Sequence, residues 1–257
     1  MKKNKERKTI FVAGSSGATG RLLTDQLLKA GHTVRTIVRK PENLPGFLKN
    51  REGLEVTKGA LLDFTDAQLQ VQVKGCDAIA SCLGHNLSFK GIYFDPHRLV
   101  TNAVRRLTDA AIANLPTHKV RFILMNTAGN ANRDLKESHT LGHKAVIQLL
   151  RWLLPPHVDN EQAADYLRTE LGQNHEVIEW AAVRPDNLVD SNEVSEYELF
   201  ESPIRDPLFD SGKTSRMNVA NFMARLAIED DLWDTWEGRM PLVYNKDCND
   251  ETLNGRV

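Results

Sequence analysis

Thr9-Ile10-Phe11-Val12-Ala13-Gly14-Ser15-Ser16-Gly17-Ala18-Thr19-Gly20-Arg21-Leu22-Leu23 is the stretch whose reading decides how this chain folds. A short apolar run, Thr9 to Ala13, breaks into three glycines spaced G-x-x-G-x-x-G, and an apolar helical pattern starts at once. Strand, glycine turn and helix in that order form the unit that receives a dinucleotide pyrophosphate. The helix start offers unpaired N–H groups and a partial positive charge, and glycine brings backbone to phosphate with no Cβ between them. Glycines at this spacing also serve plain strand-to-helix turns, so the segments around them must decide.

Outward from this stretch, strand and helix patterns alternate, which predicts a parallel sheet covered on both faces. A helix is expected over Gly17–Lys29 with Gly31 as its stop, then a strand at His32–Val38 and a break at Pro41. A short helix within Glu42–Asn50, a strand at Leu54–Thr57, a helix at Asp66–Val73 and a strand at Asp77–Leu83 follow. Pro96–Asn114 reads as a long helix, with Leu99, Ala103, Val104, Leu107, Ala110 and Ala111 on one side. Val120–Met125 is the fifth strand and Asn126–Asn130 its loop. Two helical segments, His139–Leu154 and about Asn160–Leu171, are separated by Pro155-Pro156. A sixth strand, Val177–Val183, stops at Arg184-Pro185.

Residues 186–212, rich in acid, Asn, Ser and Pro, read as a small irregular cap over the strand ends. Beyond them lie a helix at Val219–Ala227 and a late strand at Pro241–Tyr244. The prediction is one Rossmann-like, doubly wound α/β domain over residues 9–257. A basic tail (residues 1–8) precedes it, and a substrate-side cap falls within about 186–257.

Composition narrows the function classes. A chain of 257 residues can bury a substantial core. Its 33 Lys+Arg against 34 Asp+Glu, net charge -1, predicts no general nucleic-acid or membrane partner. The lysines of Met1–Lys8 form a solvated tail, because the apolar run behind them, Ile10 to Ala13, is too short for a signal segment or a membrane span. Cys76, Cys82 and Cys248 lack metal-ligand spacing, so reduced thiols in the cytoplasm are expected. His139 and His143 stand at i, i+4 without an evident third ligand, and no metal site is expected. The apolar run from Leu141 to Leu154 is either a buried helix or a homodimer contact, which leaves monomer and homodimer both open. Trp233 and Trp236 cover either core or interface.

The second strand ends Ile37-Val38-Arg39-Lys40. A carboxylate at this place accepts hydrogen bonds from an adenosine ribose diol and repels a 2′-phosphate, and a guanidinium does the reverse. Arg39 with Lys40 therefore favours NADP(H) over NAD(H), the alternative being a solvated basic pair leading into the Pro41 turn.

Taken together, these residues resemble an atypical short-chain dehydrogenase/reductase of the NmrA-like, NAD(P)H-binding group. The resemblance runs from Thr9 to about Tyr244. It is carried by the Gly14–Gly20 loop, Arg39, Asp63 in Gly59-Ala60-Leu61-Leu62-Asp63, Ser81-Cys82-Leu83-Gly84, Val183-Arg184-Pro185-Asp186-Asn187-Leu188 and Arg216-Met217-Asn218-Val219-Ala220. It implies a pyrophosphate on Gly14, Ser16, Gly17, Ala18, Thr19 and Gly20, and an adenine beside Leu62 and Asp63. It further implies ribose and nicotinamide over Ser81, Cys82, Leu83 and Gly84, with Arg184 and Pro185 closing the nicotinamide pocket through backbone contacts. Each position has a plainer reading beside it. Asp63 is then a turn or capping residue, Ser81–Gly84 a buried strand end, Pro185 a strand stop and Arg184 a cap on the sheet edge. Thr127 matches the substrate-orienting Ser or Thr of catalytic relatives, and a loop Thr satisfying nearby backbone explains it equally.

One departure bears on activity. Catalytic members of the group use a Tyr as general acid and a Lys four residues later, which holds the nicotinamide ribose and lowers the phenol pKa. Tyr93, Tyr166, Tyr197 and Tyr244 all lack a Lys at that spacing, and the expected place holds His157 and Glu161. The expectation is an NADP(H)-binding, oxidoreductase-like protein without the Tyr/Lys pair and with an unknown small-molecule substrate. In one version His157 is the acid/base, oriented by Glu161 one helical turn away. In the other the protein senses NADP(H) and signals to a protein partner. His157 is then a loop residue before a helix capped by Asp159 or Asn160.

Overall fold

The fold was analysed on a computed structural model that describes residues 6–84, 98–135, 137, 155–206 and 210–246. Strand β1 (Thr9–Ala13) lies at its centre, with Ile10, Phe11 and Val12 fully buried. It pairs in parallel with β2 (Thr33–Val38) on one side and β4 (Ala78–Ser81) on the other. The sheet has eight strands in the order β3-β2-β1-β4-β5-β6-β10-β8. In it β3 (Leu54–Lys58), β5 (Val120–Met125), β6 (Ile178–Pro185) and β10 (Leu242–Asn245) are parallel to their neighbours, and β8 (Tyr197–Phe200) closes one edge antiparallel to β10. A separate two-stranded sheet joins β7 (Asn187–Val189) to β9 (Lys213–Ser215).

Successive side chains of a strand point to opposite faces, and here both faces are covered. Ile10, Val12, Ala78 and Ala80 pack into a core beneath α1 (Gly20–Lys29), α5 (Arg216–Ile228) and α6 (Asp230–Trp236). Phe11, Ala13 and Ile79 point the other way, toward α2 (Asp66–Val73), α3 (Leu99–Ala113) and α4 (Pro155–Asp165), which runs on to Leu171 in wider π-type turns. Local chemistry sets one of these boundaries clearly. The Thr65 hydroxyl accepts from the Gln68 N–H while the Gln68 side chain accepts from the Thr65 N–H, a reciprocal cap that starts α2.

The Rossmann-like reading holds, and several details differ from the sequence expectation. The helix expected within Glu42–Asn50 is two single 3-10 turns, Pro41–Asn43 and Gly46–Leu48, interrupted by Pro45. The second helical segment starts at Pro155 rather than at about Asn160, so Pro155 and Pro156 form its first turn, where proline is tolerated. β6 does not stop at Arg184 but includes Arg184 and Pro185, because β10 pairs with both, Leu242 opposite Arg184 and Val243 opposite Pro185. Residues 186–212 are not wholly irregular, since β7 and β8 fall among them. Trp233 and Trp236 belong to α6, which the sequence reading did not anticipate, and both are buried in the core. Tyr93, His139, His143, the run Leu141–Leu154 and Cys248 lie outside the described residues. Among the described residues no helix is long and apolar enough to cross a membrane, and no three potential metal ligands cluster.

The β1–α1 turn is closed so tightly that a Cβ on Gly20 would lie 2.2 Å from the Gly14 carbonyl oxygen. Both partners are backbone, so neither gives way cheaply. Gly20→Ala is expected to destabilise the protein by about 2–3 kcal/mol. Urea unfolding followed by circular dichroism checks this, and an unchanged midpoint would contradict the closeness of the turn.

Candidate nucleotide and substrate site

The turn after β1 is shaped by its own packing. Gly14 has φ +84°, a left-handed conformation that favours glycine, and a Cβ there would meet the Cys82 carbonyl oxygen at 2.8 Å. The Ser15 hydroxyl is buried and lies 2.6 Å from the Thr36 hydroxyl, which donates to the Val12 carbonyl at 2.7 Å. This polar chain ties the turn to β2 and so fixes its height relative to Arg39. Ser16, Gly17 and Ala18 are left exposed at the tip. At the start of α1, Thr19 makes no side-chain cap and no acidic residue occupies the first turn. The positive end of the helix is thus uncompensated by the helix's own side chains, which suits an anion.

A cleft of about 300 Å³ opens beside this turn, at the carboxyl ends of β1, β2, β3 and β4. It spans the place where the strand order reverses, with β1 between β2 and β4, the position at which open α/β sheets bind ligands. Of the residues named from sequence, Gly14, Ser16, Gly17, Arg39, Leu62, Asp63, Cys82, Leu83 and Gly84 line it together. Ala18, Thr19, Gly20 and Ser81 are not in the lining, and Ser81 is fully buried, its hydroxyl unpartnered among the described residues. The sequence reading missed Ile37, Val38, Gly59, Ala60, Leu61 and Leu99 as lining residues. Gly59 to Leu61 follow the end of β3, so their distance from Arg39 in sequence hides their closeness in the sheet. The Cys82 thiol is pushed up to about 12 by burial, which leaves it a wall of the cleft rather than a nucleophile.

Next to this cleft is a second hollow of about 330 Å³ lined by Ser16, Val38, Arg39, Lys40 and Asn43. None of these is a carboxylate. Arg39 and Lys40 are exposed, and neither forms an ion pair among the described residues.

Arg184 and Pro185 stand elsewhere. Neither lines the cleft, and Arg184 is fully buried between β5 and β10 rather than at a sheet edge. Its Nε donates to the Met240 carbonyl at 2.7 Å and its Nη1 to the Asn130 carbonyl at 3.0 Å. Its Nη2 donates to Glu137 Oε1 at 2.9 Å and to the Glu201 carbonyl at 2.9 Å. The Arg184 N–H donates to the Pro241 carbonyl, and the Pro185 carbonyl accepts from the Ala128 N–H. Glu137 is as buried as its partner, with side-chain exposures of 0% for Arg184 and 2% for Glu137. The pair holds the loop after β5 against β8 and β10.

Thr127 and His157 lie on opposite sides of Gly129, just beyond β5. A Cβ on that glycine would stand 3.7 Å from the Thr127 Oγ1 and 3.7 Å from the His157 Cε1. The Thr127 hydroxyl accepts from the Gly129 N–H at 3.3 Å, so the loop-satisfying role is present, and its proton remains to be donated. His157 is largely buried; its Nε2 lies 3.5 Å from Glu161 Oε1 and has no hydrogen-bond partner among the described residues. Arg133 approaches Glu161 at 3.9 Å. Asp159 does not cap its own helix: its carboxylate takes the N–H groups of Val100 and Thr101, at the start of α3. The described tyrosines serve elsewhere. Tyr166 shares a hydrogen bond with Thr108, and Tyr197 donates to Asn221. Tyr244 is buried with its phenol pushed up to about 12, chiefly by burial.

The profile of the NAD(P)H-binding family matches residues 14–230 of this chain. No curated protein matches the sequence. Among solved structures, the fold is similar to a short-chain dehydrogenase/reductase of Veillonella parvula in complex with NADP, at 15% identity and a TM-score of 0.64, covering 93% of this chain and 95% of that one. It is also similar to the oxidoreductase YlbE of Lactococcus lactis, at 18% identity and a TM-score of 0.65, covering 93% and 91% of the two chains. A third similar structure is the anaerobillin reductase ChuY of Escherichia coli O157:H7, at 17% identity and a TM-score of 0.63, covering 93% and 98%.

Removing one partner of a fully buried ion pair strands the other charge in the interior, which costs far more than the pair contributes. Glu137→Ala is therefore expected to lower stability by about 3–5 kcal/mol. Arg184→Met also strands the carbonyls of Asn130, Met240 and Glu201, so the expected signature of the pair is that Arg184→Met combined with Glu137→Ala costs less than the sum of the two single losses. Chemical denaturation of the three variants checks this; additive losses would mean that the charges do not act as a pair.

Proposed function

The chain belongs to the NAD(P)H-binding family, and we propose that it binds NADP(H) across the β1–β4 crevice and uses it to reduce or oxidise a small carbonyl-type substrate. The single observation that carries the cofactor choice is the hollow of Ser16, Arg39, Lys40 and Asn43, which joins two cations without a carboxylate at the end of β2. A 2′-phosphate fits that chemistry, with the Arg39 guanidinium as a planar multidentate donor and Lys40 as a point charge. Leu62 and Asp63, both in the lining of the cleft, would hold the adenine, the carboxylate accepting from its amine. Ser16 and Gly17, before the start of α1, would hold the pyrophosphate. A bound nicotinamide supplies or receives the hydride.

At the far end, the Thr127 hydroxyl would hydrogen-bond the substrate oxygen, and His157 would supply or remove the single proton that accompanies the hydride. Glu161 holds the imidazole in place. Support for this assignment comes from Gly129, whose missing side chain leaves a space bordered by both groups. A second reading, a nucleotide sensor that signals to a protein partner, is favoured by one observation. Glu161 occupies the place of the ribose-holding lysine, and a carboxylate neither binds a ribose in the same manner nor lowers a phenol pKa.

Calorimetric titration is expected to give a Kd for NADPH at least about tenfold below that for NADH, and Arg39→Ala is expected to abolish the difference. Tighter NADH binding by the native chain would refute the assignment of Arg39. NADPH oxidation across a panel of aldehydes, ketones and quinones separates enzyme from sensor. Turnover that falls by about 10²–10⁴ in His157→Ala supports the acid/base role. NADPH binding with no oxidation of any acceptor supports the sensor.

A further inference from the structure

The start of α3 has no cap of its own. The residue before it, Arg98, makes no side-chain cap bond, and no acidic residue lies in its first turn. The missing acceptor comes from another helix. Asp159, on α4, is completely buried and takes the Val100 N–H at 2.7 Å and the Thr101 N–H at 3.0 Å on its two carboxylate oxygens. The Thr101 hydroxyl donates back to the Asp159 carbonyl at 2.9 Å. Three hydrogen bonds thus clamp one turn of α4 to the first turn of α3. A carboxylate at a helix N-terminus has both orphan donors and the helix dipole in its favour.

What stands at the two ends of this clamp gives it significance. Leu99, the first residue of α3, lines the nucleotide cleft. On α4, Asp159 sits between His157, which borders Gly129, and Glu161, which faces His157. We propose that Asp159 is a positioning residue that sets His157 relative to the bound nucleotide, by holding the Leu99 wall of the cleft and the His157 turn of α4 as one piece. This rests on the reading of the cleft as an NADP(H) site. The mechanism is a population effect. Without the clamp the first turn of α3 frays, the Leu99 wall is present only part of the time, and the nucleotide must restore it on binding. The same loosening releases the turn that carries His157.

The test uses 2′,5′-ADP, which carries the adenosine, 2′-phosphate and 5′-phosphate groups and no nicotinamide, so it does not reach the His157 end. In Asp159→Ala the calorimetric Kd for 2′,5′-ADP is expected to rise about three- to tenfold. The His157 ring signals, assigned by their loss in His157→Asn and read by NMR on histidine-labelled protein, are expected to move away from their native positions. Saturating 2′,5′-ADP is expected to bring them back, because it selects the ordered α3 start. A purely structural cap lowers thermal stability and moves neither readout. Asp159→Asn keeps shape and one acceptor oxygen; it guards against a failure of the Ala variant to fold and is expected to show the same two changes at smaller size. A Kd within twofold of native in the folded variant, or His157 signals that do not respond to 2′,5′-ADP in it, would overturn the assignment of Asp159. Failure of the native protein to bind 2′,5′-ADP overturns the cofactor reading itself, and the proposal with it.

Discussion

The rest of the molecule depends on the contact between the Gly14 backbone and the Cys82 carbonyl. The ends of β1 and β4 approach until a single Cβ would fill the gap at 2.8 Å, and that approach narrows the crevice at the reversal of strand order. Everything that lines the nucleotide cleft hangs from it. Ser15 reaches sideways to Thr36 and fixes the turn to β2, which sets where Arg39 emerges. Cys82, Leu83 and Gly84 continue from the same contact on the other side. The turn is therefore glycine-rich first for its own closure. The exposure of Gly17 at its tip, where a Cβ would touch only the Gly14 carbonyl, is the separate feature that serves a ligand.

The opposite half of the crevice is organised by charge rather than by close approach. Arg184 and Glu137 are both removed from water, and such a pair contributes little net stability by itself. Its effect is specificity of arrangement. The guanidinium addresses carbonyls from three segments, after β5, after β8 and before β10, and a planar, fully occupied donor set accepts only one relative placement of them. The loop that presents Thr127 and Gly129 is held at its far end by this pair and at its near end by Asn126, which donates to the Asn160 carbonyl. Loop residues that are to face a substrate gain fixed geometry in this way without a regular element of their own.

What the sequence made legible was whatever physics writes locally. The alternation of apolar residues, the glycine turn and the basic end of β2 are each contained in a few consecutive residues, and the structure brings Gly14, Gly17, Arg39, Asp63 and Gly84 into one lining. What it hid depends on partners far away in the chain. β8 is a four-residue strand of mixed exposure, and it exists as a strand because β10 pairs with it across more than forty residues. The extension of β6 through Arg184 and Pro185 has the same origin, since Leu242 and Val243 supply the pairing. Asp159 is the sharpest instance. Its position early in a helix suggested a local cap, and its carboxylate instead caps a helix some sixty residues upstream. Side chains with two equivalent local explanations are settled by contacts that no window of sequence contains.

The two ends of the proposed site differ in charge, and this bears on how the proposed function would hold a nicotinamide with Glu161 in place of a lysine. At the adenosine end the charges are exposed cations, screened by solvent and suited to capture a mobile polyanion. At the substrate end Glu161 is only 6% exposed, and its Oε1 lies 3.5 Å from the His157 Nε2. A lysine in that place would fix the ribose through its ammonium. Here a carboxylate stands beside the imidazole instead, with Arg133 3.9 Å from the same Glu161. On the proposed reading His157 takes the proton-transferring role of the tyrosine, and Glu161 offers no counterpart to the ribose-holding ammonium of the lysine. Under the proposed function, orientation of a nicotinamide would then fall to shape: to the crevice walls, to the small residues Gly84 and Gly129, and to the clamp between α3 and α4.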